Sequence, residues 1–227
     1  MAARAGRADR RVEALSRERI VAAAVELLDA SGEGGLTFRA LTERLATGPG
    51  AIYWHVANKD ELLAAATEGV VAAVLAVDAD GSRSPRDEIR AVALGLFEAV
   101  AAHSWLGTQL AVQLARSPWG SVAPRIFERI GRQVRALGVP ERQWFVATSA
   151  LVHYVFGAAG QNAANGRVPS AGSSRAELMD RVATAWAGLD AEEYSFTRAV
   201  ADQVRDHDDR EQFLAGVDFL LDGIMAR

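Results

Sequence analysis

Apolar residues along this chain recur every three to four positions almost from end to end, and no segment alternates apolar and polar residues long enough to predict a strand. Ile20, Ala24, Leu27 and Leu28 form the first stripe. Ser16 ahead of it is a suitable N-cap and Ser31-Gly32 a suitable stop, so a helix is predicted over residues 16–30. Thr37 then caps a short helix in which Leu41 and Leu45 stand one turn apart. The pattern breaks at Ala46-Thr47-Gly48. Pro49, suited to a helix's first position, opens a second short helix that runs to about Val56. The next helix follows Asn58 and carries Leu62, Leu63, Ala66, Val70, Val74 and Val77. It would be about 30 Å long at 1.5 Å per residue, enough to link two domains.

A polar break over residues 78–84 precedes Ser84-Pro85, a cap and first-position pair for a helix with the stripe Ile89, Val92, Leu96, Phe97 and Val100. Helices are also predicted over 104–116, 121–137, 140–164, 174–188, 192–204 and 208–225. Between them, residues 165–174 hold Gly166, Pro169, Gly172 and two adjacent serines and read as a loop. The fold class is all-α, with about ten helices and no internal repeat. Residues 1–15 form a flexible basic arm, 16–64 a three-helix domain and 65–227 a larger helical domain.

Two helices of about two turns each are too short to stand alone, so the helix before them must act as a brace. Ile52 and Val56 are four apart and point inward together. That leaves Pro49, Gly50, Ala51, Tyr53, Trp54 and His55 for the other sides. Small residues at the helix start let its backbone approach a surface closely. Tyr53 and His55 bring hydrogen-bonding groups and Trp54 a flat apolar ring with one donor. Such a set, in a helix-turn-helix, suits a groove in DNA.

Residues 37–63 resemble the DNA-binding region of the tetracycline repressor family of bacterial regulators. The run Ile52-Tyr53-Trp54-His55-Val56, followed by Asn58-Lys59, is similar to the recognition segment of the family's namesake. This specific motif covers roughly the first quarter of the chain, and a weaker likeness extends through the helical remainder to a segment at 213–223. One departure concerns the turn. The family usually has Gly and then an aliphatic residue, where Ala46 and Thr47 stand here and the glycine is displaced to Gly48. The resemblance implies a double-stranded DNA operator, read as a homodimer, and a small-molecule effector. It places Arg39 at a basic position that contacts the operator. It also implies that the tilt of the long helix sets the spacing of two reading heads, and that the helices at 140–164 and 208–225 pair with the partner's in a four-helix bundle.

Charge sharpens this picture locally. The chain has 227 residues, a net charge of −4 and a pI of about 5.6, which argues against a protein that coats nucleic acid without sequence preference. Yet residues 1–19 carry six arginines against three acidic residues, a local +3. This arm is either a solvated tail or a strand that follows the phosphates or minor groove. Arg44 has no matching role in the family and stays unassigned. Lys59 is the only lysine among 25 basic residues. Asn58 as N-cap and Glu61 behind it put Lys59 at a helix's first position, where a cation opposes the macrodipole by ~0.3–1 kcal/mol. A phosphate held by that ammonium and the helix's first N–H groups offsets the cost, and the resemblance gives Lys59 the same role.

An effector site is legible only as a set of residue types. Phe97, Trp105, Trp144 and Tyr154 are apolar or aromatic lining candidates, with Gln109, Gln113, His153 and Gln161 as polar contacts. No histidine stands near Gln109, where the family's namesake has its metal-binding one, and Gln161 replaces a glutamate, so a magnesium–drug complex is not expected. An apolar or aromatic compound is. Small residues at 147, 150 and 157–160, and an apolar surface over 213–224 wider than one core needs, mark the two expected dimer helices.

Catalysis finds little support. The four histidines are scattered, no pair has metal-ligand spacing, no phosphate-binding glycine loop occurs, and the chain has no cysteine. No metal, cofactor or catalytic residue is expected. Neither a membrane span nor a secretory signal is legible, so a cytoplasmic protein is expected. The chain is therefore read as a ligand-responsive transcriptional repressor on a palindromic operator, with an activator not separable from it. The alternative is an all-helical small-molecule-binding or scaffolding protein that does not read DNA.

Overall fold

The computed structural model describes residues 15–76, 83–167 and 174–226. The arm's Arg4, Arg7, Arg10 and Arg11 and most of the expected 165–174 loop lie outside them. The described residues form twelve helices, nine of at least seven residues, and no strand. The fold is all-α, divided into two compact units at Ala66/Thr67.

In the first unit, α1 (Arg17–Gly35) starts where Ser16 Oγ accepts the Arg19 N–H at 3.3 Å. Its regular run breaks at Gly32, where φ is +62°, a value that glycine reaches without a Cβ penalty. Helix α2 (Phe38–Leu45) is capped by Thr37 Oγ1, which accepts the Ala40 N–H at 3.1 Å. Helix α3 (Pro49–Tyr53) stops three residues earlier than its apolar spacing predicts. His55 and Val56 both donate to the Ile52 carbonyl, so Trp54 and His55 sit in a closing turn. The turn keeps Val56 buried while the chain leaves for the next cap. Ile20, Leu28, Leu36, Leu41, Ile52 and Val56 form the core of this unit, each at most 1% exposed.

Helix α4 (Lys59–Ala76) runs unbroken across the division. Asn58 Oδ1 accepts the Glu61 N–H at 2.8 Å, and Glu61 reaches back to the Ala57 N–H at 2.8 Å, one residue before the position a capping box would use.

The second unit is built on α5 (Pro85–Ala102), whose Ile89, Val92, Leu96 and Val100 face inward. Around it lie α6 (Leu106–Arg116), α7 (Val122–Ala136) and α8 (Trp144–Arg167), the last entered through a 3-10 turn at Glu141–Gln143. Helix α9 (Arg175–Ala187) opens with a full capping box between Ser174 and Glu177. The single helix expected over 192–204 is instead α10 (Ser195–Ala199) and α11 (Ala201–Arg205), separated at Val200, whose ψ of 1° leaves the helical range. Both pack on α9.

Helix α12 (Asp209–Met225) closes the unit against α5 and α8. A Cβ at Gly216 would fall 1.9 Å from the Tyr154 hydroxyl, so glycine is what lets α12 approach α8. That hydroxyl donates to the Phe213 carbonyl at 3.0 Å, and its burial pushes the Tyr154 pKa up. Arg86 spans Asp218 at 2.9 Å and Asp222 at 2.6 Å, while Arg90 also pairs with Asp218. The bond from Arg90, aided by Arg86, holds the Asp218 carboxyl below its usual range.

Candidate nucleic-acid interface

The turn between α2 and α3 is shaped by Ala46, the only non-glycine residue with positive φ among the described ones (φ 48°, ψ 47°). In this left-handed conformation its N–H meets the Glu43 carbonyl at 3.4 Å, and Thr47 N–H reaches Thr42 at 3.1 Å. An alanine thus does what the resembled family gives to glycine. Gly48 stays extended at φ −82° and serves as N-cap, with Pro49 at the first position of α3.

Anchored by Ile52 and Val56, this stretch turns its polar and aromatic groups outward. Trp54 is 90% exposed and Tyr53 52%. Pro49 and Gly50 are exposed, and Ala51 and His55 half-buried. Tyr53 is held from behind by Phe38, the first residue of α2, with ring centroids 4.5 Å apart and planes 13° from parallel. Phe38 is not among the residues that the sequence pattern singles out. Its only sequence signal is an aromatic residue directly after the Thr37 cap.

The cations are already engaged with the protein. Arg39, its side chain 88% exposed, donates through Nε to Glu43 at 2.9 Å, and that bond raises its pKa further. This i, i+4 pair lies on the exposed face of α2. Arg44 pairs with Glu26 of α1, Nε to Oε2 at 2.6 Å, which gives the unassigned arginine a bracing role between two helices. Lys59 Nζ donates to the Glu33 carbonyl near the end of α1. A compact ammonium on a flexible stem reaches one carbonyl where a planar guanidinium would need more room, a local reason for the chain's single lysine.

The eight candidate effector contacts do not converge. Phe97 stacks on Phe213 at 4.4 Å, and Tyr154 on Phe213 at 5.7 Å, so these two are packing of α5 and α8 against α12. Trp144 donates from Nε1 to the Val139 carbonyl at 2.6 Å and lies under the Arg135 guanidinium, which is 5.5 Å from its ring centroid. His153 and Gln161 are exposed on the outer face of α8, with Gln161 bonded to Asn165 at 2.9 Å. Trp105, Gln109 and Gln113 do share one face of α6, and Gln113 Nε2 is buried without an acceptor. A cavity of about 620 Å³ in the second unit is lined instead from α4 and α7, by none of the eight. Helical spacing alone cannot separate a core aromatic from a cavity aromatic. Among the described residues no three His, Asp or Glu side chains gather as a metal site.

These features stand beside clear likenesses to known proteins. Residues 20–66 match the family of bacterial regulatory proteins called tetR, and residues 79–227 match the tetracyclin repressor-like C-terminal domain. The chain belongs to the tetR family of bacterial regulatory proteins. It is similar to a solved transcriptional regulator, a TetR from Streptomyces coelicolor, with 65% identity and a TM-score of 0.87 over 94% of this chain and 99% of that one. It is also similar to BioQ solved with its double-stranded DNA operator, at 27% identity and a TM-score of 0.61, covering 94% of this chain and 100% of that one. An HTH-type transcriptional regulator of Saccharopolyspora erythraea is 32% identical over 63% of this chain, which spans 59% of that regulator's length. Among the described residues no single helix is long and apolar enough to cross a membrane.

Proposed function

We propose that the protein is a ligand-responsive transcriptional repressor, active in the cytoplasm as a homodimer on a palindromic operator. The observation that carries this is Trp54, almost fully exposed beside Tyr53 on a segment anchored by buried Ile52 and Val56. Trp54 and Tyr53 expose adjoining aromatic surface beside polar His55, and a contiguous patch of this kind marks an interaction site. The operator-bound BioQ relative names that partner as duplex DNA for a protein of the same fold. In this reading Tyr53, Trp54 and His55 meet base edges and Pro49, Gly50 and Ala51 allow close approach. Arg39 and Lys59 turn from Glu43 and Glu33 toward phosphates.

Two reading heads are needed, because one short helix reads too few bases. The surface suited to pairing lies on α8 and α12, where Val146 and Phe219 are 65% and 75% exposed. His153, Gly157 and Gln161 continue the outward stripe of α8, so His153 and Gln161 belong to this surface. The boundary between DNA-binding and effector domains falls within α4, and no catalytic step is part of the reading.

Selection from random duplexes at about 0.15 M salt tests the proposal. Recovery of an inverted repeat is expected. Salt-labile binding without sequence preference, or none, would replace the repressor by an all-helical small-molecule-binding protein.

A further inference from the structure

We propose that the effector is an organic anion with an apolar body, a carboxylate or similar oxyanion, seated in the cavity between α4 and α7. This rests on the regulator reading above and names the chemistry of its ligand. The cavity's volume of about 620 Å³ lies within the range of small-molecule sites, roughly 300–1,000 Å³. Its two walls differ in kind. Ala72, Leu75 and Pro124 make one apolar, while Arg125, Arg129 and Arg132 line the other from one face of α7, spaced i, i+4 and i+7. Glu128 is the only carboxylate among the lining residues.

Each guanidinium has a carboxylate, but none is saturated by it. Arg125 pairs with Glu68 at 3.2 Å, Arg132 with Glu128, and Arg129 with Glu88, which is 6% exposed. A guanidinium offers five N–H donors, and one carboxylate takes at most two of them. Arg129 Nε and Nη2 are buried against Glu88, so the donors open to the cavity are those of Arg125 and Arg132, whose side chains stay exposed. A neutral apolar ligand would bury these donors with nothing to accept them. An oxyanion fits the donors and its body fits Ala72 and Leu75. The expectation of a purely apolar or aromatic effector is changed accordingly. The site bears on the last two turns of α4, the helix that begins at Lys59.

The test uses the full chain and two dyes with one body, anilinonaphthalene sulfonate and its uncharged counterpart phenylnaphthylamine. One sulfonate dye per chain is expected, bound at least about tenfold more tightly than the neutral dye. R125Q/R132Q should erase that preference with the melting temperature unchanged, since the two side chains are 51% and 74% exposed. R142Q, exposed and not among the lining residues, should retain it. On the unaltered chain, decanoate should displace the sulfonate dye and decanol should not. Equal binding of both dyes, an unchanged preference in R125Q/R132Q, or displacement by decanol as well as decanoate overturns the anion site. Arginine-dependent sulfonate binding by a protein that recovers no inverted repeat supports the site and removes the regulator reading instead.

Discussion

Phe38 and Tyr53 stack 4.5 Å apart, joining the first residue of α2 to the last of α3. The contact fixes a ring that is half exposed and places its hydroxyl outward. An aromatic pair of this kind contributes about 0.5–1.5 kcal/mol beyond its buried area. Phe38→Ala should therefore lower stability by about 1–2 kcal/mol and weaken operator binding about tenfold, although Phe38 is not assigned to DNA. Tyr53→Phe keeps the stack and removes the hydroxyl, so stability should hold while the preferred sequence shifts. Fluorescence anisotropy on operator and scrambled duplexes separates the two. Unchanged affinity in Phe38→Ala would show that the stack does not position Tyr53.

Ala46 holds a backbone conformation that costs an L-residue about 1–2 kcal/mol, and its side chain is exposed. Glycine there removes the strain but adds unfolded-chain entropy of about 0.4–1 kcal/mol. Ala46→Gly should stabilise the protein by about 0.5–1 kcal/mol, read as a higher urea midpoint at the same slope, and Ala46→Val should destabilise it. A lower midpoint for the glycine variant would mean that Ala46 is not strained in solution.

How much was legible in the sequence follows from where each feature is encoded. The caps at Ser16, Thr37, Asn58 and Ser84 act within four residues, and each accepts the N–H expected of it. Leu41 and Ile52 are buried because their spacing fixes the inward faces of α2 and α3. Relations between elements were not legible. Nothing near Phe38 says that Tyr53 will meet it, or that Glu33 will offer its carbonyl to Lys59. On α7, Arg125, Arg129 and Arg132 read as an ordinary solvated face until α4 is placed opposite them. The early stop of α3 at Tyr53 is likewise set by the burial of Val56 and the cap at Asn58, which outweigh the helical spacing of Ile52 and Val56.

Lys59 has two partners to account for, the Glu33 carbonyl in the structure and a phosphate in the proposed complex. Lys59→Met distinguishes them. If the ammonium reaches phosphate, affinity should fall alike on operator and random duplex, and the slope of log K against log salt should decrease by about one. If it serves only α1, the melting temperature should fall with the salt slope unchanged.

Asp218 ties α12 to Arg86 and Arg90 of α5, and its depressed pKa makes the tie pH-dependent. A folded-state pKa below the unfolded value contributes stability that is complete above the unfolded pKa, about 4, and is lost as pH falls through the folded one. Asp218 is 28% exposed at its side chain, so the interaction is partly screened. Asp218→Asn should cost about 1–2 kcal/mol at pH 7. The gap from the unaltered protein should close as pH drops below about 4. Urea titrations from pH 7 down to pH 3 check this. A gap that stays constant would assign the loss to packing.

Phe219 is 75% exposed on α12 and Val146 65% exposed on α8, and these two helices pack together within the chain. Each helix thus carries an apolar side chain that a single copy leaves in water. If a second copy covers them, a carboxylate in place of Phe219 would be buried there unpaired in both subunits, a penalty of several kcal/mol that a folded monomer avoids. Phe219→Asp should give a monomer with unchanged helicity, seen by sedimentation velocity, and should abolish binding to a full inverted repeat while leaving weak binding to a half-site. Trp119 supplies the control, being 82% exposed in the turn between α6 and α7 and on neither α8 nor α12. Trp119→Asp should leave the assembly intact. Monomers from both variants would point to general destabilisation, and dimers from both would move the interface off α8 and α12.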